Sequence, residues 1–377
     1  MLVASLYAYA FLSEFILLYP VYALLFTDTG LSVAQVSSLF AIWSLTGLVL
    51  EIPSGAWADA VSRRLLLVLG PLLTGAGFAL WVGFPSYWAF AVGFVLWGAG
   101  ETLISGSYEA LAYEELERRG QAGRYATVIG RATAASMIAT AAAMAVAVPV
   151  FAAGGHPAVA VASVLTCLLC SATALTLPEH RVRRVAPSYL AVLREGIAQT
   201  RADRRVTHAV LLVAFVAALW GGLEEYIPYL ALETGVPEAA VPLLVLLVTL
   251  GITAGGLLAG PAERLPPRAY GLLLGLAALA LAAGALSRHV AGFVLIALAF
   301  GAFQLAGVLA DVRLQQRITG PARATVTSVA GLGTSVVTLG LYGVYGALSP
   351  YALNGTTFAL LALPYVLIAL LTARARQ

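Results

Sequence analysis

Four carboxylates stand where a carboxylate is costly. Glu14, Glu101 and the neighbours Glu224 and Glu225 lie inside long apolar runs. An ionisable side chain at the middle of a membrane helix costs about 2.5–3.5 kcal/mol on insertion scales. Residues kept there are candidates for binding a proton or a cationic ligand group, because an acid out of water is held neutral until water or a counter-charge reaches it. The competing reading is a protonated acid bonding one helix to another. Pro20 follows Glu14 by six residues and Pro228 follows Glu224 by four. Each half of the chain thus sets an acid ahead of a segment loosened by proline.

Other side chains in the same runs fit a ligand-binding wall. Trp97, Trp220, Tyr226, Tyr229 and Gln304 suit a bulky, partly apolar compound bearing a cation. Tyr19, Tyr22, Tyr342 and Tyr345 suit either that wall or anchoring at the membrane interface. A second charged group, Glu51, Glu109 and Arg131, falls near Gly55, Asp59, Arg63 and Arg64 at one end of the runs. Its expected role is an ion-pair network that gates a conformational change. Little else is chemically suggestive. The four histidines are not spaced as a metal site, and Cys167 and Cys170 sit within the apolar run VLTCLLCSATAL, where they read as packing residues. There is no phosphate-binding loop and no nucleophile elbow. Covalent catalysis, ATP hydrolysis, bound metal and nucleic-acid binding are therefore not expected.

The elements that carry these residues follow from composition. Of 377 residues 61% are apolar and only 10% charged, and the mean hydropathy is +0.92; soluble domains carry about 25% charged residues. At roughly 20 residues per membrane helix, the apolar runs give twelve spans. The first six fall near 2–27, 33–57, 65–84, 88–112, 125–150 and 157–177, the second six near 207–232, 239–260, 269–286, 290–310, 323–347 and 351–372. These runs are too long for barrel strands of about ten residues, so the expected fold is an all-α integral membrane protein. The N-terminal run lacks a basic start and a cleavage site, and reads as the first span rather than a signal peptide.

Orientation follows from the basic residues. All 21 are arginine, and nineteen fall in connections or the tail on one side of the twelve-span map. Both termini are therefore expected in the cytoplasm. The stretch 178–205, rich in arginine, divides a bundle over 1–177 from a second over 206–377; it reads as a basic, partly amphipathic linker on the inner leaflet. The halves echo each other. LLYPVYALLFTDTGLSVAQV (17–36) parallels EEYIPYLALETGVPEAAV (224–241), and GRYATVIG (123–130) parallels ARATVTSVAG (322–331). Two like-oriented six-helix repeats imply a pseudo-twofold axis along the membrane normal with a central cavity, a layout of transporters.

EIPSGAWADAVSRR (51–64) resembles the cytoplasmic signature of the major facilitator superfamily in Gly55, Asp59, Arg63 and Arg64. Ala60 and Ser62 depart from it. SGSYEALAYEEL (105–116), EEYIPYL (224–230) and RATVTSVAG (323–331) are similar to segments of a bacterial, drug-efflux-like branch. The fifth span, IGRATAASMIATAAAMAV, lacks the glycine–proline motif usual in drug/proton antiporters. The resemblance implies a monomeric secondary transporter of the bacterial inner membrane, working by alternating access without a cofactor, with a proton as the candidate coupling ion. Export of a small amphipathic molecule is the leading reading. Proton-coupled nutrient uptake and a non-transporting membrane sensor are the alternatives.

Overall fold

The computed structural model describes residues 2–60, 62–180, 189–318 and 323–374, leaving aside the side chains of 52–60, 189–193, 323, 324, 373 and 374. Gly55 and Asp59 fall, as side chains, outside the described residues. Among the described residues the regular structure is wholly helical. In the first half run α1 (Leu2–Glu14), α2 (Tyr22–Asp28), α3 (Val33–Ala60), α4 (Arg63–Gly83), α5 (Tyr87–Ile104), α6 (Ser107–Arg118) and α7 (Tyr125–Leu175). After α8 (Tyr189–Ala202) come α9 (Arg204–Glu224), α10 (Ile227–Leu232), α11 (Val241–Leu257), α12 (Pro267–Ser287), α13 (Gly292–Arg317), α14 (Arg323–Leu348), α15 (Asn354–Leu361) and α16 (Leu363–Arg374).

Ten stretches among the described residues are long and apolar enough to cross a membrane. The stretch Ala122–Leu175 is one of these, and it turns at Gly154 and Gly155, whose φ of 58° at Gly155 is left-handed backbone that glycine takes without strain. It therefore supplies two spans. The short α1 and α2, interrupted around Pro20, complete a twelfth. This is the twelve-span, all-α protein that the apolar runs imply, and it lies in the membrane as a multi-pass chain.

The chain divides into two compact units, Met1–Leu31 with Leu39–Tyr189, and Ser32–Ser38 with Leu190–Gln377. Within the first, α1 packs on α7, and α4 on α5 and α7. Within the second, α9 packs on α13 and α14, and α12 on α13 and α16. Both use small residues to bring backbones together, as helices do in lipid. A Cβ on Gly77 would meet the Gly93 carbonyl oxygen at 2.8 Å; one on Gly255 would meet that of Gly301 at 1.9 Å. Large apolar side chains such as Leu257, 75% exposed, and Leu272, 66%, cover the outside, where hydrocarbon replaces water.

The region read as a linker includes the helix α8. The helix α8 lies against the start of α14, where Gly196 leaves a would-be Cβ only 2.4 Å from the Thr325 carbonyl. Asp203 then opens α9, its side chain accepting the backbone N–H of Arg205 at 2.7 Å. So α8 packs on α14.

Candidate substrate and coupling site

Three of the four intramembrane acids sit where a helix is interrupted. Glu14 is the last residue of α1 and Glu224 the last of α9. Glu101 lies in the final turn of α5, its carbonyl accepting from Ser105 N–H at 2.8 Å. There the chain breaks at Gly106, whose φ of 72° ends one helix and admits the next. Interrupted backbone within a bilayer occurs where it is buried in protein or lines a cavity.

Glu14 and Glu101 line one cavity in the first unit, about 190 Å³ in volume, with Tyr19, Trp97, Thr74 and Cys167. The ring of Trp97 stacks on Tyr19 at 5.3 Å and on Trp43 at 5.0 Å between centroids. The indole of Trp43 donates from Nε1 to Glu101 Oε2 at 3.1 Å. Drug-sized ligands occupy roughly 300–1,000 Å³, so this cavity admits one end of such a molecule. Two carboxylates beside stacked aromatic faces are groups that attract cations, through charge and through ring quadrupoles. A second cavity of about 210 Å³, which Glu109 lines, shares Ser13, Ile104 and Ser105 with the first.

Further acids stand beside the charged residues expected to gate. Arg63 pairs with Glu114 at 2.5 Å, both side chains largely buried. Glu179 covers the N-terminus of α4, accepting from Arg63 N–H at 2.6 Å and from the Ser62 hydroxyl. A carboxylate there meets the positive end of the helix dipole. Arg64 reaches the Leu177 carbonyl at 3.4 Å, and Glu115 accepts from His180 N–H at 3.0 Å. Of the expected members, Glu109 turns to the second cavity, while Glu51 and Arg131 are exposed on α3 and α7. Glu114, Glu115 and Glu179 were legible only as acids close to arginines at span ends.

In the second unit the residues expected to form an aromatic wall lie in different settings. Tyr226 is fully buried and Tyr229 only 4% exposed. Tyr226 stacks on Tyr345 at 3.5 Å and donates from its hydroxyl to Ser37 Oγ at 2.8 Å. Tyr229 lies tilted against Tyr226, with ring centroids 6.3 Å apart. Trp220 meets Phe300 edge-on at 6.2 Å, and Gln304 lies half-buried beside Gly256. Glu224 and Glu225 are likewise half-buried. Glu233, not singled out from the sequence, accepts from the backbone of Asn354 at 2.7 Å and of Gly355 at 3.1 Å, capping α15.

Twelve apolar spans with an acid-bearing cavity among them define a multi-pass membrane transporter. A model of the Major Facilitator Superfamily matches residues 3–339, and the chain belongs to that superfamily. It is a secondary transporter of small molecules, not an enzyme, and needs no cofactor. No curated protein is similar in sequence at a significant level. Among solved structures it is similar to the nucleoside transporter NupG, at 14% identity and a TM-score of 0.79, over 98% of each chain. The POT family transporter PepTSo is similar at 12% identity and 0.74, over 98% of this chain and 96% of that one. A bacterial homologue of the human lysosomal transporter Spinster is similar at 16% identity and 0.69, over 98% and 94%. At these identities the likeness is one of fold.

Proposed function

We propose that the protein exports a small amphipathic molecule with a cationic end, by alternating access, in exchange for protons. The observation that carries this reading is the convergence of Glu14 and Glu101 on one cavity with Trp97 and Tyr19. The carboxylates bind the cationic end of the substrate or a proton, and the aromatic faces take its apolar part. Ser13 and Ser105, which border both cavities, offer polar groups along a route from the Glu109 end to the acids. Glu224, Glu225, Trp220 and Gln304 add the second half's contribution to substrate affinity.

The arginine distribution supports placement in the inner membrane of a bacterium with both termini in the cytoplasm. The working unit is a monomer of two bundles, 1–177 and 206–377, joined by 178–205. Arg63, Glu114 and Glu179, with Asp59 and Gly55, hold the inner gate. Proton-coupled uptake is the second reading, and the same two acids would serve it. Flux in proteoliposomes across a panel of amphipathic cations and polar nutrients, with and without an imposed pH gradient, tests the proposal. Outward, gradient-driven movement of the cations is expected; inward movement of nutrients alone would replace export by uptake.

A further inference from the structure

One further cavity belongs to none of the groups above. It is a groove of about 820 Å³ in the second unit, bordered by α9, α12, α13 and α16. Its walls include Leu211, Phe215, Leu367 and Leu371, each more than 40% exposed. At one end stand Arg313 and Arg317, one turn apart on the same face of α13. No residue lining the groove is acidic. Among the described residues neither arginine has a carboxylate within ion-pair distance.

The arginines are nonetheless held in place. Arg313 donates from Nη2 to the Leu265 carbonyl at 2.9 Å, and its guanidinium lies over the Tyr270 ring at 4.2 Å. Arg317 donates from Nη1 to the Arg205 carbonyl at 3.2 Å. A guanidinium carries five N–H donors, so each keeps donors for an anion. Fixed, planar forks without a counter-ion among the described residues match a phosphate, which they can bind bidentately.

We propose that this groove seats an anionic glycerophospholipid, its phosphate on Arg313 and Arg317 and an acyl chain along Leu211, Phe215, Leu367 and Leu371. The volume falls in the range of small-molecule pockets, and apolar walls leading to paired cations match a lipid's tail and head. A soluble anion uses only the head of this site. The arginine-rich end of the spans places the phosphate in the leaflet where anionic lipids meet basic residues.

Native mass spectrometry of the delipidated full chain tests this with dioleoyl phosphatidylglycerol, dioleoyl phosphatidylcholine and inorganic phosphate. One phosphatidylglycerol should bind with a preference of about 30-fold over phosphatidylcholine, the value expected from two arginines beside an anionic headgroup. R313Q/R317Q should abolish the preference. Should loss of the Tyr270 contact unfold that variant, R317Q alone, altering an exposed side chain, should lower the preference about fivefold. Equal binding of the two lipids, or a preference unchanged in R317Q, overturns the proposal. So does competition by inorganic phosphate at the lipid's own concentration, which would mark a site for a soluble anion.

Discussion

Trp43 and Glu101, 58 residues apart and on different helices, are joined by a hydrogen bond of 3.1 Å from indole to carboxylate. The same indole stacks on Trp97, which lies one turn before Glu101 on α5. The carboxylate is therefore aimed by one aromatic residue while another forms the floor beside it. Trp43→Phe keeps an aromatic ring for the stack and removes the donor. A hydrogen bond to a charged group is worth about 1.5–3 kcal/mol, so affinity for a cationic substrate should fall by about tenfold or more. Equilibrium binding of the variant checks this, and unchanged affinity would show that Trp43 only packs.

Arg63 and Glu114 are expected to act on conformation rather than on the ligand. Arg63→Ala should lower transport severely while substrate binding stays within about threefold, since the pair biases an equilibrium between states. A double-mutant cycle with Glu114→Gln should give a coupling of about 0.5–3 kcal/mol, as contacting residues do. Thermal unfolding in detergent measures it. Independent, additive losses would mean that the two side chains do not stabilise each other.

Packing of α11 on α13 rests on the absence of side chains. Gly255→Ala puts a Cβ 1.9 Å from the Gly301 carbonyl oxygen, an overlap only backbone movement relieves. Overpacking of this kind costs about 1–3 kcal/mol. The melting temperature of Gly255→Ala should fall clearly, whereas Gly340→Ala, with open space around its Cβ, should not lose stability. Equal behaviour of the two would refute close packing at Gly255.

Much of this was legible because lipid makes misplaced charge conspicuous. Glu14 and Glu101 stood out in apolar runs, Pro20 announced the interruption after α1, and the Gly154–Gly155 turn divided a 51-residue helix where the apolar pattern did. Partnership was not legible. Nothing near Trp43 in sequence signals Glu101, because the bond depends on how α3 and α5 cross. The sequence set Glu51, Glu109 and Arg131 near Arg63 but did not single out Glu114, which pairs with Arg63 from α6. Tyr226 illustrates a further limit: an aromatic residue that lines a cavity and one that fills a core have the same sequence signature, and nothing in the sequence announces its stack on Tyr345 at 3.5 Å.

Side assignment rests on arginine counting. A cysteine at Ser86 should react with an impermeant thiol reagent from outside intact cells, and one at Gln121 only after the membrane is opened. Cys167 and Cys170 are both buried, so background labelling should be small. Reaction at position 121 in intact cells would invert the topology.

In the proposed mechanism Glu14 and Glu101 exchange a proton while facing one cavity. The direct measurement is substrate flux in proteoliposomes under an imposed pH gradient, compared with exchange at equal pH, for Glu14→Gln and Glu101→Gln. At least one variant should lose gradient-driven flux by about 100-fold or more, as expected when a group essential to a coupled step is removed, while exchange persists. If both keep full gradient-driven flux with unchanged pH dependence, these carboxylates are structural and the coupling site lies elsewhere.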